Sequence, residues 1–306
     1  MPDSARLGHA TPRPAGCPAI VAVMTTYLVT GATGNVGRNV VRQLLNIPGA
    51  QVRAVSRDPG RADLPGAQVV RADITDKADL EPVVDGIDAA FLIWPLHTGA
   101  ALPGVLATLA RHTRRVVLLG SGAVAELPME QQRDLLAATI PEWTFIRPST
   151  FAANALWWAR QIRAGDTVGG AHGELAMAML HEADIAAVAV RALTSGRHVG
   201  ELALTGPAVL SQSEQVHVIG EALGRPLRWV ELPRPAARRR LVADGVPESF
   251  ADTLLDAYAA MAKQPRPPVT STVEEVTGRP ARTFAQWATD HAAAFAQAAP
   301  TSAATS

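Results

Sequence analysis

The sequence predicts an α/β fold, a doubly wound parallel sheet followed by a small C-terminal α/β subdomain. Three observations carry this reading. From residue 25 to about 150, short apolar runs alternate with helical patterns, the rhythm of βαβ units in a sheet covered on both faces. A glycine-rich turn, Thr30-Gly31-Ala32-Thr33-Gly34-Asn35-Val36-Gly37, separates the first apolar run from the first helical pattern. After Pro148 the alternation gives way to a mixed helical and Gly-rich stretch.

The elements follow in order. TYLVT (26–30) reads as a strand. Asn35 to Asn46 carries Val36, Val40, Val41, Leu44 and Leu45 at amphipathic helical spacing,. Strands are expected over 51–55, 68–71, 88–93, 115–120 and 143–147, with helices near 100–112 and 131–138. Beyond residue 150, 151–164 reads as a helix and GDTVGGAHGE as a Gly-rich connection. A helix over 183–193 and a strand over 201–204 return to the core, with Asp184 expected to cap that helix,. Ser211-x-x-Glu214 has capping-box spacing ahead of a helix that Gly224 can close,. A strand near 227–232 precedes a helical stretch over 235–263, interrupted at Gly245-Val246-Pro247. Thr283-x-x-Gln286 opens a last helix through Phe295. The expected organisation is therefore a nucleotide-binding core over 25–150 and a mainly substrate-binding part over 151–297. Residues 1–24 read as a disordered extension, with Met24 a natural start, and 298–306 as a disordered tail,.

Composition narrows the function. Lys+Arg and Asp+Glu number 28 each, so the chain lacks the cationic excess that nucleic-acid binding requires,. No apolar run reaches the ~18–20 residues that span a bilayer,. Cys17 is the one cysteine; that excludes an intrachain disulfide and a multi-Cys zinc site, and fits a cytoplasmic protein. No metal site is expected.

The glycine-rich turn points to a dinucleotide. Gly31 permits a tight turn, Gly34 lets backbone approach a pyrophosphate, and Gly37 allows close helix–strand packing. The helix behind it offers free N–H groups to phosphate oxygens. The spacing is G-x-x-G-x-x-G rather than G-x-G-x-x-G. About 20 residues further on, where a carboxylate would bind a ribose 2′-hydroxyl, stand Ser56 and Arg57,. A guanidinium suits a 2′-phosphate, so NADP(H) is expected over NAD(H). Arg53 and Arg61 are weaker candidates for the same phosphate.

TYLVTGATGNVGRNVV, VVRADITD (69–76), GIDAAFLI (86–93), FIRPSTFAANAL (145–156), HEADIAAVAVRAL (181–193) and EEVTGRPARTFAQWATDHAAAF (274–295) together resemble the NmrA-like atypical short-chain dehydrogenases/reductases. The resemblance runs from about residue 25 to 297. It implies a Rossmann core with a C-terminal subdomain closing a substrate cleft. It also implies NAD(P)H-dependent quinone, azo or related reduction, or NAD(P)-binding regulation without turnover. Residue by residue it implies that Gly31, Thr33, Gly34, Asn35 and Val36 form the phosphate turn and that Arg57 reads the 2′-phosphate. Asp73 and Ile74 would flank adenine, Trp94 and Pro95 the cofactor ribose, and Ser121 the nicotinamide.

The usual catalytic pair of short-chain dehydrogenases, Tyr-x-x-x-Lys, is absent. Tyr27 is followed by Gly31 at the fourth position, and Tyr258 precedes Lys263 by five. The helix after strand five carries Arg133 where relatives place an acid–base group, and Arg is a poor base. Hydride transfer to a planar or conjugated acceptor survives this loss, because the cofactor carries the chemistry and solvent can protonate the product. Ser121 and His97 are the candidate catalytic groups, with His172 or His181 as further proton donors. Trp94, His97, Phe151, Asn154, Trp157 and Trp158 are expected to line an aromatic substrate cleft. The leading expectation is an NADPH-dependent reductase of a quinone, enone or ketone-type small molecule. A non-catalytic NADP sensor, which alone would need a protein partner, and a redox-neutral cyclase or isomerase are the alternatives.

Overall fold

The computed structural model describes residues 24–296 apart from 97, 123, 125, 198 and 199. Residues 1–23 of the expected extension over 1–24, the tail over 298–306 and His97 lie outside the described residues.

The first half alternates strand and helix: β1 (Thr25–Val29), α1 (Asn35–Leu45), β2 (Ala50–Ser56), β3 (Gln68–Arg71), α2 (Lys77–Val84), β4 (Ala89–Ile93), α3 (Leu102–His112), β5 (Arg115–Leu119), α4 (Met129–Thr139) and β6 (Glu142–Pro148). Then come β7 (Thr150–Phe151), a 3₁₀ segment (Ala152–Trp158), α5 (Ala159–Ala164), β8 (Thr167–Gly170), β9 (Ala176–Met177), β10 (Met179–Leu180), α6 (Glu182–Ser195) and β11 (Gly200–Leu204). The chain ends through β12 (Leu210–Ser211), α7 (Gln212–Ala222), β13 (Arg228–Glu231), α8 (Arg234–Ala243), α9 (Glu248–Met261), α10 (Thr272–Thr277), α11 (Phe284–Asp290) and α12 (Ala292–Phe295).

Seven strands form one sheet in the order β3-β2-β1-β4-β5-β6-β11, every pair parallel. The expected doubly wound parallel sheet is present, and its order reverses between β1 and β4, the switch point at which such sheets open a crevice. Alternation along each strand divides the core. Tyr27, Val29, Phe91 and Val117 face α1, α6 and α10. Leu28, Leu92, Val116 and Phe145 face α2, α3 and α4.

Segment 151–164 departs from the helix expected of it. Parallel pairing with Met179–Leu180 holds Thr150-Phe151 extended, and regular α-helix begins only at Ala159. The remaining elements build a second, smaller core around Trp158, Ile162, Val216, Trp287 and Phe295. Here β8 pairs with β13 and β9 with β12. The Ser211/Glu214 and Thr283/Gln286 capping boxes both form. Gly245, at φ +100°, breaks the long helical stretch between α8 and α9.

Asp184 does not cap α6. His181 does, its Nδ1 accepting from the Ala183 amide at 3.1 Å. Asp184 sits one turn inside and accepts from the Arg282 amide at 2.6 Å and from the Arg282 guanidinium. The carboxylate fastens the segment before α11 onto the core helix, a partnership between residues 98 positions apart.

Candidate functional site

The carboxyl ends of β1 to β4 meet around one groove of about 310 Å³. Gly31, Thr33, Arg57, Asp73, Ile74 and Pro95 line it. Gly31 adopts φ +58°, and a Cβ there would come within 3.0 Å of the Ile93 side chain. Gly37 is held harder: its Cβ would lie 2.1 Å from the Gly31 carbonyl oxygen, against backbone that cannot swing away. Thr30 ties the turn to β4, its hydroxyl donating to the Ile93 carbonyl (3.1 Å) and accepting from the Ile93 amide (2.8 Å).

Gly34 caps α1 without a side-chain hydrogen bond, and no acidic residue stands in the first turn. The first amides of α1, at Asn35 and Val36, are thus left to an outside acceptor. Val36 contributes only backbone, because its side chain is buried in the core. Arg38 braces the turn from behind by donating to the Thr33 carbonyl at 2.8 Å.

Arg57 is exposed at the end of β2; among the described residues no carboxylate lies within ion-pair distance of it, and the Asp73 carboxyl on the same groove feels its charge. Its neighbour Asp58 is engaged by Arg61 at 3.3 Å. Arg53 turns elsewhere, donating to the Val83 and Asp85 carbonyls at 2.8 and 2.7 Å. It is therefore a structural residue rather than a helper at the phosphate. Asp73 accepts from the Thr75 amide and hydroxyl at 2.9 and 2.8 Å. Those hydrogen bonds hold its carboxyl below the usual range. A dinucleotide with its phosphates on the turn, its adenine near Ile74 and a charged group at Arg57 fits the residues present.

Trp94 departs from the expected aromatic wall. Alternation past β4 sends its side chain into the core beside α2 and α3, where its Nε1 donates to the Thr98 carbonyl at 2.8 Å. Only its backbone borders the groove's neighbour Pro95. Phe151 likewise packs on the core face shared with Ile93, opposite to Thr150 on the short strand β7.

Ser121 follows β5 and is fixed by a residue the sequence did not single out. Gln132, fully buried, donates from Nε2 to the Ser121 and Leu127 carbonyls at 2.7 and 2.8 Å, and its Oε1 accepts from the Ser121 amide at 3.3 Å. Arg133 is occupied by Asp134 (2.6 Å) and Glu201 (3.0 Å). His172, at φ +63°, donates its amide to Glu231, and His181 is the buried cap of α6.

Asn154, Trp157 and Trp158 come together around a second, narrow cavity of about 30 Å³ inside the C-terminal part. It touches the sheet's carboxyl edge through Thr150, two residues past β6. Trp229 meets Trp158 edge to face at 5.8 Å. Burial pushes the Tyr258 phenol up to about 12, so it is a protonated hydrogen-bond donor at neutral pH. Burial also raises the Asp244 carboxyl, against the hydrogen bond from Gln161 and the charges of Arg240 and Arg160. Trp229, Tyr258, Asp244, Gln161 and Gln215 reach this crevice from five separate elements or turns. No local pattern in the sequence marks them.

Among the described residues no helix is long and apolar enough to cross a membrane, and no group of three or more potential ligands could hold a metal.

A family model described as NAD(P)H-binding matches residues 31–196. The chain is 38% identical to a (4-alkanoyl-5-oxo-2,5-dihydrofuran-3-yl)methyl phosphate reductase of Streptomyces griseus, over 88% of this chain and 99% of that protein. It is 34% identical to an NAD(P)H azoreductase of Xenophilus azovorans, over 89% and 99% respectively. Its fold matches that of an NADPH-dependent quinone oxidoreductase from Escherichia coli complexed with NADPH, with a TM-score of 0.72 at 22% identity over 87% of this chain and 99% of that one.

Proposed function

The chain is an NAD(P)H-dependent oxidoreductase of the NmrA-like atypical short-chain dehydrogenase/reductase family, and from that premise we propose that it uses NADPH to reduce a planar, conjugated small molecule. The observation that carries the cofactor preference is Arg57. It stands exposed at the groove with no carboxylate in ion-pair contact among the described residues, at the position where such folds read a ribose 2′-phosphate,. The bound nicotinamide supplies the hydride.

The chain's own residues bind, orient and shelter. The amides of Asn35 and Val36 and the α1 N-terminus receive the pyrophosphate. Arg57 pairs with the 2′-phosphate. Gln132 holds the backbone of Ser121 rigid at the end of β5, beside the nicotinamide position. Trp157, Trp158 and Trp229 offer flat apolar walls to the acceptor,. The relatives named above support the conjugated class: an alkanoyl-oxo-dihydrofuran, an azo compound and a quinone. The product of such an acceptor takes its proton from solvent, so a Tyr/Lys pair is not required.

The test is NADPH consumption with a panel of quinones, azo compounds and conjugated enones. Oxidation with at least one class is expected, and none with any class overturns the reading.

A further inference from the structure

The crevice is too small for the acceptor it faces. At about 30 Å³ it has room for roughly two water molecules, whereas a cavity that takes up benzene measures about 150 Å³,. An acceptor has to widen it, and its two walls differ in how they can move. One wall is built by α8, α9 and the turn between them, through Ala237, Arg240, Leu241, Asp244, Leu255 and Tyr258. The facing wall, with Trp158, Met177, Met179 and Trp229, belongs to the second core.

The α8–α9 hairpin is braced within itself. Arg234 pairs with Asp252 (3.4 Å) and Asp256 (2.9 Å), and Arg238 with Glu248 (3.3 Å) and Asp252 (2.8 Å). All four ion pairs stay inside the hairpin, and among the described residues none crosses to the body. Its apolar footing is narrow: one small cluster with Ala171 and Leu232, another with Trp157, and Tyr258, which reaches the second core. Two hydrogen bonds from α5 latch its turn. Gln161 Nε2 donates to Asp244 Oδ2 at 2.7 Å, and the Arg160 guanidinium donates to the Ala243 carbonyl. Proline marks both ends: Pro233 precedes α8, and Gln264-Pro265-Arg266-Pro267-Pro268 leaves α9 as a largely exposed connector without helix or strand.

The closed seam is also imperfectly satisfied. Gln215 Oε1 and Asp244 Oδ1 are buried without hydrogen-bond partners, and both residues border the crevice. An unpaired buried acceptor costs free energy. Parting the seam returns Asp244 to water, which offsets part of the cost of separating the apolar contacts.

We propose that α8 and α9 form a lid that swings as one body about Pro233 and the 264–268 connector, opening the crevice to admit the acceptor and closing over it. The identity of the occupant rests on the reductase reading; the motion does not.

Thiol labelling of the full chain, with Cys17→Ser as background, reads the opening. Ala237→Cys puts a thiol on the lid side of the seam, where the residue is 1% exposed, and Ala288→Cys puts one in the second core at 0%. With dithiobis-nitrobenzoate, Ala237→Cys is expected to react at least about tenfold faster than Ala288→Cys, which reports global unfolding. Arg160→Met removes one latch and leaves the carbonyl of exposed Ala243 to water. It should speed labelling of Ala237→Cys about fivefold, as the loss of one hydrogen bond implies, and leave Ala288→Cys unchanged. Gln161→Met removes the other latch and should act in the same direction. A rigid lid keeps its helices, so hydrogen exchange at the α8 amides should give an opening constant at least about tenfold smaller than labelling gives. Equal rates for the two cysteines, a rate unmoved by both latch variants, or equal opening constants from labelling and exchange overturn the proposal. NADPH consumption separates the two readings. Turnover of a quinone with equal cysteine rates sinks the lid alone. Selective, latch-dependent labelling of Ala237→Cys with no turnover of any acceptor upholds the lid and tells against the reductase.

Discussion

Nε2 of His291 lies 2.8 Å from Oε1 of Glu182, a carboxylate whose side chain is only 5% exposed. The other Glu182 oxygen accepts from Trp287 Nε1 at 3.0 Å. The His291 ring stacks on that indole with centroids 4.5 Å apart, and its Nδ1 meets the Trp287 carbonyl at 2.9 Å. Both imidazole nitrogens face acceptors, which favours the doubly protonated ring. The cluster pins the start of α6, a core helix, to the turn between α11 and α12 at the far end of the chain.

This arrangement predicts a pH-dependent stability. The hydrogen bond to Glu182 raises the His291 pKa above its ordinary 6.5, with burial opposing. Its stabilisation is thus fully present below about pH 6.5 and is lost as pH rises through the folded value. For Glu182, burial raises the pKa, but hydrogen bonds from His291 and its own backbone, with the charges of His181 and His291, outweigh burial and lower it below 4.5. That contribution is present above about pH 4.5 and fades as pH falls further. His291→Phe keeps the stack and removes the charge. It should cost about 2–3 kcal/mol at pH 6, less than a fully buried pair because a quarter of the ring meets water,. Denaturant titrations of both proteins at pH 6 and pH 9 should show the difference shrinking; a constant difference refutes the account.

Gly37→Ala tests the phosphate turn. The added Cβ would meet the Gly31 carbonyl at 2.1 Å, so turn and helix must separate. We expect a loss of about 3 kcal/mol, the upper end for overpacking, and NADPH affinity reduced at least in step. An unchanged melting temperature would contradict the packing described.

Arg57→Ala tests cofactor choice. Losing a charged hydrogen bond of about 1.5–3 kcal/mol should weaken NADPH roughly 10- to 100-fold and leave NADH nearly unaffected. Dissociation constants for both cofactors decide it, and equal losses would refute the role.

Gln132→Leu tests the brace beneath Ser121. It strands the Ser121 and Leu127 carbonyls, which take their bonds from Nε2, at a cost of about 2–3 kcal/mol. The urea midpoint should fall accordingly. Gln132→Glu restores the acceptor but sets a buried carboxylate oxygen against both carbonyls, and at neutral pH it should cost at least as much,.

The fold and the cofactor groove were legible in the sequence because both are local. Alternating strand and helix patterns needed only period and spacing, and Gly31, Gly34, Gly37 and Arg57 lie within one βαβ stretch of the chain. Where packing partners come from far away, sequence reasoning failed. Phe151 was expected in a helix, but pairing with residues about 29 positions on drew it into a strand. Trp94 was expected at the substrate, but strand alternation turned its side chain into the core, while Phe151 rests half-buried against the edge of that core. Asp184 had the look of a helix cap until Arg282 claimed it.

The sequence by itself determined the doubly wound sheet, the phosphate turn, the positive charge at Arg57 and the absence of a Tyr/Lys pair. Each is a matter of residue type at short, fixed separation. Only the tertiary structure decided that Asn154, Trp157 and Trp158 share a crevice with Gln215, Trp229, Asp244 and Tyr258, and that Glu182 and His291 form a buried pair. Those groups lie on segments up to about a hundred residues apart, and what makes them a site is burial, which removes water from them all at once.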